Sequence, residues 1–306
     1  MHRGDPQRRR AAVRRAGRRT RSGVEAAARP RPDARRRRCQ VSSSKVLVLR
    51  APGINCERET HFACQRAGGA PEYLHIQQLL GKPELLDGYR AIVVPGGFSY
   101  GDDISSGRVL AQEMKGRLGD RILRFVERGG LVLGICNGFQ VLVRLGLLPC
   151  TQNRLEEEVT LTHNLSNHYE CRWVTLRTQK SRCVFLPAGL TLRWPAAHGE
   201  GRLVARDAAM QKLLLDEGYA VALYVDAQGK PTEQYPANPN GAPLGMAALT
   251  NHSGRVLGVM PHPDRSFLPT HMPDWRHTQL ERGSLPEDGD GMVVFREMVR
   301  VAKAEG

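Results

Sequence analysis

LVLGICNGFQ, residues 131–140, carries more information about the fold than any other part of the chain. Its first three residues are apolar, as in a strand that is buried within a parallel sheet. An apolar pattern with helical spacing follows the stretch. Between the two, Cys136 lies between Gly134 and Gly138, which is the arrangement of a nucleophile elbow with cysteine in place of serine. The stretch therefore predicts a strand, a sharp turn that presents a nucleophile, and a helix.

The surroundings of Cys136 suit a reactive thiol. Glycines at the flanking positions fit a turn that is too tight for side chains. A cysteine at a helix N-terminus is stabilised as the thiolate, which is the nucleophilic form. The alternative is that Cys136 is an inert core residue, one of seven cysteines in the chain. A catalytic role also requires a histidine base elsewhere in the sequence.

Strands and helices alternate along the first half of the chain, which predicts an α/β fold with a parallel sheet covered on both faces. Beyond residue 150 the apolar segments are shorter and alternate with polar residues, which indicates additional antiparallel strands. The predicted strands lie at 45–50, 72–76, 90–94, 131–133, 159–162, 171–178, 221–225, 244–249 and 256–260. The predicted helices lie at 56–67, 107–127, 139–145 and 291–304, with a broken helical stretch at 79–86 and an irregular loop at 264–290.

The net charge of +14 over 306 residues comes mainly from an N-terminal tail. Residues 1–40 contain 15 arginines and three acidic residues, whereas the remainder has 30 basic and 28 acidic residues. Self-repulsion and the lack of core-forming residues predict a disordered tail over residues 1–44, followed by one domain over residues 45–306. Three interpretations of the tail stay open: a polyanion-binding segment, a targeting peptide, or an upstream stretch absent from the native protein.

Composition excludes several classes of protein. The sequence contains no apolar run of the roughly 18 residues that cross a membrane, and no signal-peptide pattern. The cysteines are odd in number and include no C-x-x-C pair, so we expect no metal site. Reduced thiols predict a cytoplasmic protein. The body of the chain is nearly neutral and lacks a basic stripe with aromatic residues, so nucleic-acid binding is not favoured.

Two further segments supply groups that Cys136 would need. His262 follows a predicted strand, and Asp264 stands two residues later, where its carboxylate can orient the imidazole. Gly96 and Gly97 follow another strand, and their N–H groups, with that of Asn137, could bind an oxyanion. Taken singly, each segment is equally consistent with an ordinary loop or turn. Beside an elbow cysteine they form a candidate Cys-His-acid triad.

These residues together resemble the triad-type (class I) glutamine amidotransferases. The resemblance lies in residues 95–97 (PGG), 134–140 (GICNGFQ) and 261–263 (PHP). Further strings resemble the glutaminase subunits of phosphoribosylformylglycinamidine synthase: APGINC at 51–56, GFSYGD at 97–102, CRWV at 171–174, AHGEGR at 197–202 and YPANPNG at 235–241. The resemblance covers residues 45–304 and leaves the tail outside.

The resemblance implies a three-layer α/β/α fold with a mostly parallel central sheet and an enzyme that hydrolyses glutamine. Cys136 would attack the side-chain amide and form a thioester, and His262 would transfer protons. Gly97 and Asn137 would stabilise the oxyanion, and Gln140 would help to hold glutamine. The family usually has Glu at the position of Asp264, which places the orientation of His262 in question.

The same resemblance implies partners. An ATP- and magnesium-dependent synthase subunit would receive the ammonia in purine synthesis, and a small third subunit would complete the complex. This chain itself would bind glutamine and no cofactor. Two alternatives stay open: a glutaminase that serves another synthase, and a non-catalytic interaction subunit of the same fold, for which the altered acid is a possible sign.

Overall fold

The computed structural model describes residues 44–102 and 104–304. The tail predicted over residues 1–44 lies outside the described residues, apart from Ser44, and its interpretations stay predictions.

The described part of the chain forms one large mixed sheet and one small antiparallel pair. The strands are β1 (Lys45–Arg50), β2 (Ala70–His75), β3 (Ala91–Val94), β4 (Leu131–Ile135), β5 (Val159–His163), β6 (Glu170–Thr178), β7 (Thr191–His198), β8 (Glu200–Ala205), β9 (Ala220–Tyr224), β10 (Met246–Thr250) and β11 (Val256–Val259). Nine of them form the large sheet, in the order β2-β1-β3-β4-β11-β10-β9-β6-β7, and β5 pairs with β8.

The large sheet has a parallel half and an antiparallel half. Neighbours from β2 to β11 run parallel, and neighbours from β11 to β7 run antiparallel. The parallel strands β3 and β4 are buried along their whole length, which explains why they read as continuous apolar runs rather than alternating patterns. Their carboxyl ends meet at one edge of the sheet, where ligand sites of α/β folds usually lie.

Helices cover the parallel half in two groups, α1 packed on α7 and α3 packed on α4. The described helices are α1 (Glu57–Arg66), α2 (Ile76–Gly81), α3 (Arg108–Glu127), α4 (Asn137–Leu145), α5 (Ala208–Asp216), α6 (Trp275–Arg282) and α7 (Met292–Ala304). In α3 the residues Leu110, Met114, Leu118 and Ile122 recur every four positions and are all buried, so they form the stripe that faces the core. None of the described helices is both long and apolar enough to span a membrane.

The predicted α/β architecture with additional antiparallel strands is confirmed. Sequence patterns missed the short helix α5 and the strands β7 and β8, which pair with β6 and β5. Cys56 is the N-cap residue of α1, and no side chain caps that helix. The loop predicted at 264–290 contains α6 and two short 3₁₀ turns.

Candidate active site

Cys136 lies at a strained junction between β4 and α4. Its backbone has φ 52° and ψ −106°, a conformation that costs a residue with a side chain about 1–3 kcal/mol. Its N–H donates a hydrogen bond to the Val259 carbonyl at 2.8 Å, which ties the turn to the end of β11. The side chain is 6% exposed. The structure therefore forms the elbow that the sequence predicts, with a buried thiol.

The glycines of the elbow are required by close packing. A Cβ on Gly138 would lie 1.9 Å from the Val94 carbonyl oxygen, and a Cβ on Gly134 would lie 2.6 Å from Leu142 Cδ1. The first turn of α4 thus rests directly on the end of β3 and on its own strand. Any side chain at either position would lift the helix and move Cys136.

His262 reaches the elbow from the neighbouring strand. β11 runs parallel to β4 with Val259 paired to Ile135, so the segment after β11 emerges beside Cys136. The His262 N–H donates to the Pro195 carbonyl at 2.7 Å, and the ring Nδ1 lies 3.1 Å from Asp264 Oδ1. Both side chains are buried. The sequence-predicted base and acid are therefore in direct contact.

The shorter carboxylate of Asp264 reaches His262 because the chain turns between them. Residues Pro263–Arg265 form a 3₁₀ turn. The turn draws the carboxylate back towards the ring, so the contact forms although the side chain of Asp is one methylene shorter than that of Glu.

The electrostatic environment favours the charged form of His262. Burial lowers the pKa of His262, but the Asp264 carboxylate and the Cys136 thiol oppose this effect, and the resulting pKa lies well above its ordinary value. The structure thus favours an imidazolium between an acid and a thiol, which is the state that would stabilise a Cys136 thiolate.

Replacing Asp264 tests this balance. Asp264→Asn removes the charge that opposes burial, so we expect the pKa of His262 to fall and kcat/KM for glutamine hydrolysis to fall roughly 10²-fold. We expect a smaller loss than the roughly 10⁴-fold loss in a serine triad, because a thiol ionises more readily than a hydroxyl. The pH–rate profile of the variant should shift to lower pH. Asp264→Glu, which restores a carboxylate, is the matched control, and an unshifted profile in the Asn variant would contradict the assignment.

Gly96 lies beside three side chains of the site, those of His262, Cys56 and Cys136. A Cβ at this position would lie 2.8 Å from His262 Cε1, 3.2 Å from Cys56 Sγ and 3.6 Å from Cys136 Cβ. Gly96 itself is anchored because its carbonyl accepts hydrogen bonds from the N–H groups of Asn55 and Cys56 at 3.3 and 3.2 Å. The absence of a side chain at Gly96 lets the His262 ring approach the elbow.

We therefore expect Gly96→Ala to reduce kcat roughly 10²-fold, because a displacement of about 1 Å in a reacting group can cost that much. The melting temperature should change little if His262 alone moves. Gly116→Ala is the control, since a Cβ there meets nothing within 4 Å. Steady-state kinetics with thermal unfolding of both variants would measure the effect, and wild-type kcat in Gly96→Ala would contradict it.

The predicted oxyanion donors lie beside the elbow. Gly97 forms an isolated bridge with Ile54, and the Phe98 N–H donates to the Gly53 carbonyl at 2.8 Å. Among the loop hydrogen bonds of residues 44–102 and 104–304, neither the Gly97 nor the Asn137 N–H is used as a donor. Asn137 is the first residue of α4, where the N–H has no partner within the helix. Both amides are thus available to an oxyanion.

The Asn137 side chain holds this arrangement together, a role that sequence reasoning missed. Its Oδ1 accepts a hydrogen bond from the Ser99 N–H at 3.0 Å. Its Nδ2 donates to Asp102 Oδ1 at 3.1 Å and to Gln140 Oε1 at 2.9 Å. One buried amide thus links the glycine loop after β3 to the start of α4.

Gln140 is part of the same network. Its Nε2 donates to the Glu200 carbonyl, and its side chain is almost fully buried. The structure therefore places Gln140 between α4 and the start of β8. Its predicted contact with glutamine stays a prediction.

Sequence reasoning also missed groups that distant segments bring to Cys136 and His262. Cys136 Sγ lies 3.6 Å from the Ala197 carbonyl at the end of β7. Burial lowers the pKa of the adjacent His198 to about 3, so this histidine is neutral. Cys56 Sγ lies 3.0 Å from the guanidinium of Arg265. Only the string APGINC at 51–56 hinted at this position.

The fold and this cluster define a class of protein, the triad-type glutamine amidotransferases that the sequence resembles. A family model described as a CobB/CobQ-like glutamine amidotransferase domain matches residues 43–301. The chain belongs to this family, in the branch that contains the PurQ subunits of phosphoribosylformylglycinamidine synthase.

Similar proteins align over nearly their whole length. The PurQ subunit from Dehalococcoides mccartyi is 42% identical over 264 residues, which cover 86% of this chain and 99% of that protein. The PurQ subunit from Methanococcus maripaludis strain S2 is 41% identical over 256 residues, covering 83% and 92%. A chain in the solved structure of PurLQS from Thermotoga maritima is 30% identical with a TM-score of 0.62, covering 84% of this chain and 98% of that chain.

Proposed function

We propose that this chain is the glutaminase subunit of phosphoribosylformylglycinamidine synthase. The observation that carries the proposal is the elbow thiol of Cys136 beside the buried pair of His262 and Asp264. The relatives that align with the chain over 99% and 92% of their own lengths are named as PurQ subunits of that synthase, which supports this particular synthase over another.

In the first half of the reaction, the Cys136 thiolate attacks the side-chain carbonyl carbon of glutamine. Negative charge develops on the carbonyl oxygen, which the N–H groups of Gly97 and Asn137 would stabilise. Imidazolium His262 donates its proton to the departing nitrogen. The C–N bond breaks, ammonia leaves, and a γ-glutamyl thioester stays on Cys136.

In the second half, neutral His262 removes a proton from water as the water oxygen attacks the thioester carbonyl. The tetrahedral intermediate collapses with cleavage of the C–S bond and releases glutamate. The thiolate and the imidazolium are then restored. The Asp264 carboxylate supports each imidazolium state through its contact with Nδ1.

The ammonia must reach its acceptor before water protonates it, because ammonium is not a nucleophile. We propose that a synthase subunit that uses ATP and magnesium docks over the site and receives the ammonia, and that a small third subunit completes the complex. The similar chain from Thermotoga maritima occurs in the solved structure of PurLQS, which supports a complex. Exposed Phe98 and Tyr169 offer apolar surface, Phe98 directly after the glycine loop.

We place the protein in the cytoplasm. Six described cysteines are free, including the exposed Cys171, and a reactive Cys136 requires a reducing compartment.

Reconstitution tests the proposed partner. The purified chain is mixed with the synthase subunit and the small subunit from the same source, and glutamine-dependent formation of formylglycinamidine ribonucleotide is measured with ATP and magnesium. We expect product, one glutamate per product, and little glutaminase activity without the partner. Active glutamine hydrolysis coupled only to a different synthase would reassign the partner. No glutamine hydrolysis with any partner would support a non-catalytic subunit.

A further inference from the structure

His198 is a buried histidine beside the candidate triad that the proposed mechanism does not use. It is the last residue of β7, and only 3% of it is exposed. The preceding residue, Ala197, places its carbonyl oxygen 3.6 Å from Cys136 Sγ. Burial and the charge of His262 lower the pKa of His198 to about 3, so the ring is neutral and lies within electrostatic range of the triad.

The Asn164 side chain determines which nitrogen of the His198 ring carries the proton. One terminal atom of the Asn164 amide lies 2.9 Å from the His168 carbonyl oxygen and 2.8 Å from that of His198, so it is the nitrogen, which donates to both. The other terminal atom is the oxygen Oδ1, which lies 3.1 Å from His198 Nδ1 and can only accept. Nδ1 therefore carries the proton, and Nε2 carries a lone pair.

The Nε2 atom of His198 is a buried hydrogen-bond acceptor that has no partner among the described residues. On an imidazole ring Nε2 points away from the partner of Nδ1, so it faces away from Asn164. Gly201 packs against the opposite edge of the ring, because a Cβ there would lie 2.6 Å from both Cε1 and Nδ1, and this contact holds the ring in place. Buried polar atoms normally have partners, so Nε2 is placed for a donor that comes from outside the protein.

Glutamine brings such a donor to this place in the proposed reaction. The carbonyl carbon of its side chain must come within roughly 3–3.5 Å of Cys136 Sγ. Its oxygen points to the N–H groups of Gly97 and Asn137, so its amide nitrogen lies on another side of the thiol. That nitrogen has two N–H groups, and both are donors. The Ala197 carbonyl, which borders the thiol, and His198 Nε2 are acceptors of the matching type.

We propose that His198 is a specificity-determining residue, whose Nε2 accepts a hydrogen bond from the side-chain amide of glutamine. The inference rests on the proposed function, because it names the part of the substrate that His198 recognises. Glutamate has a carboxylate at the same position, and its oxygens would face the Nε2 lone pair with no proton between them. Two lone pairs that face each other repel, so the site favours the substrate over the product.

Two substitutions separate the acceptor of His198 from the structural contact of its ring. In His198→Asn the amide nitrogen takes the place of Nδ1 and can keep the hydrogen bond to Asn164, whereas no atom replaces Nε2. His198→Gln places its terminal amide, which contains an acceptor oxygen, near the position of Nε2. His163→Asn changes an exposed histidine of β5 and is the matched control. Thermal unfolding shows whether each variant is folded.

The kinetic test compares glutamine with glutamate γ-methyl ester, which has no N–H group at the reacting carbon. The value of kcat/KM is measured for both substrates in the reconstituted complex. We expect His198→Asn to lower the value for glutamine roughly 10–100-fold, because a hydrogen bond to a buried acceptor is lost. The value for the ester should stay unchanged, and His198→Gln should recover part of the loss. Equal losses for both substrates, or no loss for glutamine, in a folded His198→Asn variant would overturn the inference.

A binding measurement separates the role of His198 from the proposed function. Affinities for glutamine and glutamate are measured by calorimetry on the full chain with Cys136→Ala, which forms no thioester. We expect tighter binding of glutamine, and a preference that falls roughly tenfold or more when His198→Asn is added. A His198-dependent preference in a chain whose wild type hydrolyses no glutamine in any complex would refute the proposed function and leave the acceptor role standing. Active hydrolysis with an unchanged preference would overturn the acceptor role alone.

Discussion

In the reconstituted complex, Cys136→Ala is expected to lower glutamine-dependent synthesis by roughly 10⁴-fold or more, because removing the nucleophile of a triad abolishes the covalent route. Synthesis from added ammonium salt should continue at the wild-type rate. Ammonia then reaches the synthase from solution, and the substituted chain still docks. The two rates, measured in parallel over a range of ammonium concentrations, separate glutaminase chemistry from assembly.

The substitution suits this test because alanine differs from cysteine by the sulfur alone. The strained backbone at φ 52° is held by the Val259 carbonyl and by the packing of Gly138 on β3, neither of which involves the thiol. Cys171→Ala, at an exposed position, should leave both rates unchanged. Equal loss of both rates in Cys136→Ala would mean that Cys136 supports structure or docking instead.

His262→Gln is expected to lower glutamine hydrolysis by roughly 10³-fold or more, because it removes both the base and the acid of the reaction. The Gln amide can still donate a hydrogen bond to Asp264, so the buried carboxylate keeps a partner. His262→Ala would leave the buried Asp264 carboxylate without a hydrogen-bond partner. An unpaired buried charge costs several kcal/mol, so this variant would also have a folding defect. Hydrolysis rates together with the alkylation rate of Cys136 measure the effect.

The alkylation rate of Cys136 shows whether His262 acts on the thiol itself. Imidazolium His262 stabilises the thiolate, so alkylation of Cys136 near neutral pH should slow markedly in His262→Gln. His277→Gln changes an exposed histidine and is the matched control. Wild-type hydrolysis in His262→Gln would assign the base to another group, for which the buried neutral His198 is a candidate.

The parts of the site that the sequence predicted are those that local geometry determines. The elbow follows from two glycines around Cys136 at a strand–helix junction. The contact between His262 and Asp264 follows from their separation by two residues. β3, β4 and β11 are neighbours in a parallel arrangement, so the segments after them meet at one edge.

The parts that the sequence did not predict depend on contacts between distant segments. Asn137 was assigned a role for its N–H alone, and its side-chain bonds to Ser99 and Asp102 appear only in the folded chain. Cys56 reaches His262 because α1 begins beside the loop after β3. A single sequence gives residue types and local spacing, but not which distant loops touch.

Labelling by a glutamine-derived chloroketone tests the central claim most directly, because it asks which sulfur recognises the glutamine side chain. The complex is treated with the reagent, and peptide mass spectrometry locates the adduct among the seven cysteines. We predict one adduct per chain on Cys136, protection by glutamine, and strongly slowed labelling in His262→Gln. Labelling of another cysteine, or no labelling of Cys136 in an assembled complex, would contradict the account.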